Sequence, residues 1–221
     1  MNKNKSNKLK GIVVALKANF LIVEIDYKDD LLDQFYEKIR LLCTRRSKLD
    51  YQGLFIDVGD EVYVEAIDYQ NKRAVIYKVE QRKSFLRRPA VANVTLVSIC
   101  ISADEPLFDM EQTSRFLLTA ECANIKPLVI LTKIDLITKN ELILYINKFK
   151  SWGYDCIPVS IHNSQGIDSL IKRFRKTKLT VLAGPSGVGK TSLINHFLKI
   201  LTIKRISFKI FIDYTTRLIS M

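Results

Sequence analysis

The chain has 221 residues, 48% of them hydrophobic and 26% charged, with a formal net charge of +12 at pH 7. That length holds one large domain or two small ones, the apolar share is enough to bury a core, and no run approaches the roughly 18 apolar residues of a membrane-spanning helix, so no membrane association is expected. The positive excess favours polyanionic partners through counterion release, although drift toward Lys, Ile and Asn would give the same sum, so charge alone leaves RNA contact open.

The first ten residues, MNKNKSNKLK, are basic but lack the apolar run and small-residue cleavage site of a signal peptide, and read as a mobile arm. From Gly11 short β-type runs follow, at 11–15, 20–26, 39–44, 61–68 and 73–80. The segment 31–36 reads as one helical turn, and 16–19, 58–60 and 69–72 as turns. Five short strands between turn signals imply a small barrel of the oligonucleotide-binding (OB) type over 11–83, although an SH3-like barrel would give a similar pattern. The run QRKSFLRRP at 81–89 combines a proline with Arg82, Lys83, Arg87 and Arg88. It reads as a solvated boundary, and a linker is placed at 84–93.

Beyond it the pattern alternates. Strands are expected at 94–101, 128–131, 155–159 and 179–183, and helices at 111–123, 139–152, 167–176 and 190–201. Such alternation builds a mostly parallel sheet flanked by helices, whose ligands lie at the carboxyl ends of the strands. Four cysteines, Cys43, Cys100, Cys122 and Cys156, are widely spaced without C-x-x-C. Three of them sit in apolar runs, so free thiols, a reducing compartment and no zinc site are expected.

Gly184, Pro185, Ser186, Gly187, Val188, Gly189, Lys190 and Thr191 match G-x-x-x-x-G-K-[ST] between an apolar strand and an amphipathic helix. Glycines let several backbone N–H groups turn inward as an anion nest at a helix N-terminus. The Lys190 ammonium would neutralise the β and γ phosphates, and the Thr191 hydroxyl would ligate Mg²⁺. The base is read elsewhere. Thr132-Lys133-Ile134-Asp135 follows the strand PLVIL. The Asp135 carboxylate can accept from N1–H and the exocyclic amine of guanine, where adenine presents the opposite pattern. The Lys133 stem can lie along the ring plane with its charge in water. Alone, this tetrapeptide could be a helix cap; beside a phosphate loop in one sheet it reads as a guanine selector. Ser160, with Ile161, stands at another strand end and could offer backbone N–H groups to the guanine carbonyl oxygen.

The base readers precede the phosphate loop, whereas ordinary small GTPases have the reverse order, so the sheet is expected to be circularly permuted. With the N-terminal barrel, the chain resembles the ribosome small-subunit-dependent GTPases (the RsgA/YjeQ family). The matching residues are Gly59-Asp60-Glu61-Val62, Arg88-Pro89-Ala90-Val91-Ala92-Asn93, Thr132 to Asp135, Val159-Ser160, and 184–193 with Ser192. The resemblance implies an OB-type barrel followed by a permuted α/β P-loop GTPase domain over 94–221. It also implies GTP and GDP binding, GTP hydrolysis stimulated by the small ribosomal subunit, rRNA contact through the barrel, and a role in late maturation of that subunit. A cytoplasmic monomer is expected, with a plastid stroma as the alternative compartment.

The family has a switch with paired threonines, a D-x-P-G element and a zinc domain after this point. Here 20 residues follow Leu201. Thr215 or Thr216 could stand for the switch threonine at Mg²⁺, but no D-x-x-G follows the loop. That aspartate normally holds Mg²⁺ through its water shell. The domain is therefore expected to be C-terminally truncated, to lack the strand bearing the aspartate, and to hydrolyse GTP poorly. The alternative is an RNA- or ribosome-binding module with a degenerate nucleotide domain. No catalytic residue is assigned.

Overall fold

Alternating apolar and polar residues, which place every second side chain on one face of a strand, build the N-terminal half. A computed structural model describes residues 8–28, 36–51, 53–204, 209–212 and 218–220. Strands β1 (Leu9–Lys17), β2 (Phe20–Lys28), β3 (Tyr36–Arg45), β4 (Glu61–Asp68) and β5 (Arg73–Val79) close into a barrel in the order β1-β2-β3-β5-β4. β1 runs antiparallel to β2 and β4, and β3 runs parallel to β5. The short α1 (Ser47–Tyr51) lies between β3 and β4. This order decides between the two barrel readings in favour of the OB type. The inward positions Val13, Val23, Leu41, Cys43, Val62, Val64 and Ile76 are all fully buried and form one core.

Leu9 and Lys10, expected in a mobile arm, pair with Val64 and Tyr63 as part of β1. The helical turn expected at 31–36 lies outside the described residues except for Tyr36, which begins β3.

Within the basic connector Lys83, Arg87 and Arg88 are exposed, but Arg82 is held by the barrel. Arg82 makes a bidentate pair with the fully buried Asp60 (2.8 and 2.7 Å), meets Asp57 at 2.8 Å and donates to the Phe55 carbonyl. Its guanidinium also lies 4.3 Å from the centroid of the Phe85 ring. β6 (Phe85–Arg87) and β7 (Ala90–Ala92) form a hairpin that buries Leu86, Val91 and Ala92, with a bridge from Val91 to Val58. The chain divides into two compact units between Asn93 and Val94.

The second unit is a six-stranded sheet in the order β10-β9-β8-β11-β12-β13. Its strands are β8 (Leu96–Ser102), β9 (Pro127–Thr132), β10 (Asp155–Pro158), β11 (Thr180–Ala183), β12 (Lys209–Ile212) and β13 (Leu218–Ser220). The pairs β10–β9, β9–β8, β8–β11 and β11–β12 are parallel. Every residue of β8, β9 and β11 is buried, as expected of strands covered on both faces.

The helices are α2 (Met110–Cys122), α3 (Lys139–Ser151), α4 (Ile167–Arg175) and α5 (Lys190–Lys204). Asp109 caps α2 and Thr138 closes a capping box with Glu141 on α3, satisfying N–H groups that a helix start leaves open. Ile167, Leu170, Ile171 and Phe174 line one face of α4 at helical spacing, and Phe174 meets Phe197 of α5 edge to face at 5.8 Å. β12 pairs with β11, and its residues, KIFI, include no aspartate.

Candidate functional site

Because β9, β10 and β11 run parallel, their carboxyl ends share one rim, where open α/β sheets bind ligands. Thr132 ends β9, and Ile134–Leu136 form a single 3₁₀ turn after it. Ser160 follows β10, and the glycine-rich loop joins β11 to α5. Only β8 separates β9 from β11, so the two loops start about 10 Å apart, two strand spacings.

The glycine-rich loop is shaped by its glycines and its lysine. Gly184, Gly187 and Gly189 all have positive φ, at 136°, 81° and 92°. At Gly184 space adds a second constraint: a Cβ there would stand 2.3 Å from the Cys100 carbonyl oxygen of β8. Only glycine lets the loop leave the sheet so close to its neighbour. Val188 is buried and anchors the loop tip, while Ser186 and Gly187 are exposed and Pro185 and Gly189 half-buried. Lys190 is 6% exposed, and its ammonium curls back over the loop to donate to the carbonyls of Gly184 (2.6 Å) and Pro185 (2.5 Å). Thr191 and Ser192, in the first turn of α5, are exposed.

The second segment is tied to the first. The Thr132 hydroxyl is buried and lies 2.7 Å from the Val188 carbonyl and 3.1 Å from that of Ile101. One proton is thus shared between the phosphate-loop backbone and the central strand. Lys133 adopts the left-handed backbone region (φ 59°) and reaches the Glu105 carbonyl, which also accepts from Ser102 at 2.7 Å. Asp135 is exposed at the rim. The Ser160 hydroxyl beside it holds its carboxyl below the usual carboxylate range, with smaller help from its own backbone N–H and from His162. An ionised acceptor is what recognition of two adjacent N–H donors requires. Ser160 is itself fully buried, and its N–H is fixed by the Gln165 carbonyl at 3.0 Å. Gly166 permits this approach, since a Cβ there would meet the Pro158 carbonyl at 2.0 Å.

The structure therefore links Thr132 to the phosphate loop and Asp135 to Ser160. Thr215 and Thr216 lie outside the described residues. Sequence reasoning passed over the segment after β8, where Ser102 and Glu105 seat Lys133 and Pro106 lies 3.6 Å from where a Gly187 Cβ would be. Its position at the carboxyl end of a central strand was the available signal. Burial raises the thiols of Cys43, Cys100 and Cys156 to about 12, against a small opposing effect of Lys190 on Cys100, so none is a nucleophile at neutral pH. Among the described residues no group of three His, Cys, Asp or Glu could hold a metal, and no helix is long and apolar enough to cross a membrane.

The model of the RsgA GTPase family matches residues 79–210. The small ribosomal subunit biogenesis GTPase RsgA of Prochlorococcus marinus (strain NATL2A) is 87% identical over 201 residues, which cover 90% of this chain and 64% of that protein. Its counterpart from Synechococcus sp. (strain CC9605) is 47% identical, over 84% of this chain and 60% of that one. The crystal structure of YjeQ from Thermotoga maritima superposes with a TM-score of 0.72 at 30% identity, over 86% of this chain and 64% of that chain. YloQ, described as a circularly permuted GTPase, shares the fold with a TM-score of 0.70 at 24% identity, over 100% of this chain and 72% of that one. The chain spans about 64% of the length of two Prochlorococcus marinus relatives that it matches.

Proposed function

The chain belongs to the RsgA GTPase family, and on that premise we propose that it binds GTP and GDP and hydrolyses GTP to GDP and phosphate in late maturation of the small ribosomal subunit. The relatives named as small ribosomal subunit biogenesis GTPases support this reading. The observation that carries it is the bond from Thr132 to Val188, which joins a guanine-type selector to a phosphate loop in one rigid rim.

The roles follow from the chemistry of each group. Backbone N–H groups from Gly187 to Thr191 face the phosphates at the start of α5, where the helix dipole favours an anion. The ammonium of Lys190 turns from the Gly184 and Pro185 carbonyls to the β and γ phosphates. Pro185, Ser186 and Ser192 complete the cradle around them. Asp135 accepts from guanine N1–H and its amine, Lys133 covers the ring plane, and the backbone N–H of Ile161 meets the guanine oxygen, that of Ser160 being held by the Gln165 carbonyl. Adenine would leave those groups unpaired, which costs far more than a lost apolar contact.

Mg²⁺ fits the residues present. A hard, strongly hydrated cation is bound through one or two protein oxygens and the substrate phosphates rather than a protein cage. The exposed Thr191 hydroxyl beside the loop is such an oxygen. When bound, the ion neutralises charge on the β and γ phosphates. Residues 11–83 form the part proposed to meet rRNA, with 94–221 as the nucleotide domain. The setting is the cytoplasm, and the unit that acts is the monomer.

Titration with fluorescent GDP, GTP and ATP, followed by phosphate release with and without purified small subunits, tests the proposal. Guanine binding stronger than adenine binding, and slow phosphate release stimulated by the subunit, are expected. Equal affinity for ATP and GTP, or no binding, removes it. Guanine binding without turnover would leave a ribosome-binding module with a hydrolysis-deficient domain.

A further inference from the structure

The barrel carries a surface that its own core does not explain. Between β3 and β4 the chain leaves the barrel for a short excursion. Its two ends are anchored, with Leu49 5% and Ile56 6% exposed and both in the barrel core. Between those anchors the large side chains face water instead: Tyr51 is 91%, Leu54 42% and Phe55 83% exposed.

Hydrogen bonds hold the described residues of this excursion, so the exposure is not that of a fraying end. Leu49 N–H donates to the Arg46 carbonyl at 2.9 Å and Leu54 N–H to that of Leu49 at 3.4 Å. Arg82 holds the Phe55 carbonyl at 2.9 Å, and Asp57 N–H donates to the Asp60 carboxylate at 2.8 Å. Two aromatic rings are thus presented on a braced backbone, with their faces open to a partner. Exposed clustered apolar side chains mark an interaction surface.

Charge selects the partner. The same segment opens with Arg45, Arg46 and Lys48, all exposed. Arg46 meets Glu65, while its side chain remains 59% exposed. Exposed rings preceded in the chain by exposed cations suit unpaired nucleobases: the rings stack on base faces and the cations track the phosphates. A purely hydrophobic protein partner would not need the cations, and a duplex would offer no free base face to the rings.

We propose that Tyr51 and Phe55, flanked by Arg45, Arg46 and Lys48, form a stacking platform for single-stranded RNA. It lies between β3 and β4, apart from the β2–β3 face and the loops that OB barrels commonly use. The platform deepens the ribosomal reading given above and rests on it for its biological setting. The RNA contact itself can be measured without the ribosome.

The full chain is titrated with a labelled oligouridine and with a labelled RNA duplex, with GDP affinity and the thermal transition read in parallel. Tyr51→Ala/Phe55→Ala is expected to weaken oligouridine binding about tenfold or more, leaving the duplex, GDP and thermal readings unchanged. Tyr51→Phe/Phe55→Tyr, which keeps both rings, restores it. Arg45→Gln/Lys48→Gln is expected to flatten the salt dependence by about 0.7 in log–log slope per charge removed. Failure of the native chain to bind oligouridine, or retention of affinity by the double alanine variant, overturns the platform. So does an equal loss on duplex, or loss of small-subunit association with oligouridine binding intact, which would identify a protein partner. A chain that fails to bind GDP breaks the nucleotide reading instead, so the two failures are told apart.

Discussion

Each half of the molecule sequesters a cation, and the two are handled in opposite ways. In the barrel, Arg82 is matched by two carboxylates, Asp57 and the fully buried Asp60, and its guanidinium is held charged above its ordinary range chiefly by Asp60. In the sheet domain, Lys190 donates to two backbone carbonyls, neutral acceptors that carry only partial charge. A paired ion serves architecture, because removing one partner strands the other in low dielectric. An ammonium resting on carbonyls can be redirected to phosphate by exchanging one set of oxygens for another. The difference separates residues that build from residues that bind.

That separation can be broken by mutation, beginning with the largest effect. Gly184→Ala forces a Cβ against the Cys100 backbone at a positive φ, and should cost about 4 kcal/mol of stability in the sheet domain by thermal unfolding. If the melting transition is unchanged, the close approach of β11's exit to β8 is not a constraint. Lys190→Ala should lower GDP and GTP affinity by about 3 kcal/mol, on the order of a hundredfold, with the barrel intact. Arg82→Met should do the reverse: about 3 kcal/mol of barrel stability is lost while nucleotide affinity holds, because Asp60 is left buried and unpaired. Equal effects of these two variants on binding would erase the distinction.

Smaller changes sharpen it. Thr132→Val removes the hydroxyl between Val188 and Ile101 and should cost about 1 kcal/mol of guanine nucleotide affinity, leaving the choice of guanine over adenine in place. The smallest effect is one of pH. With the folded pKa of Asp135 depressed, the carboxylate stays charged, and guanine affinity should hold as pH falls into the ordinary aspartate range and drop only as it passes through the lowered value. Ser160→Ala removes the chief cause of that depression, so the loss should begin at higher pH. A pH profile identical to that of the native chain would show that Ser160 does not tune the acceptor.

Local periodicity made most of this fold legible. Strand alternation located the barrel, and strand–helix alternation with the loop signature located the rim. The parallel pairing of β3 with β5, which separates an OB barrel from an SH3-like one, joins residues far apart in the chain and leaves no local trace. For the same reason Arg82 read as a solvated linker residue, since its partner Asp60 is 22 positions away. Leu86 was hidden by Arg87 and Arg88 beside it. At the site, Thr132 could be named as part of the selector, but its bond to Val188 spans 56 positions. Ser160 as the neighbour of Asp135 depends on the crossing of two loops and could be placed only at a strand end.

The order of strands also sets the order of assembly as the chain emerges during synthesis. β8, β9 and β10 come first and can pair with one another, which leaves the far side of β8 with its row of N–H and C=O groups open. That edge is closed only when Thr180–Ala183 arrives, some twenty residues after β10 ends at Pro158. For that interval the nascent domain lacks the glycine-rich loop and keeps a sticky flank. Ribosomal tunnel delays or chaperones that shield one exposed strand should therefore affect its yield more than its final stability.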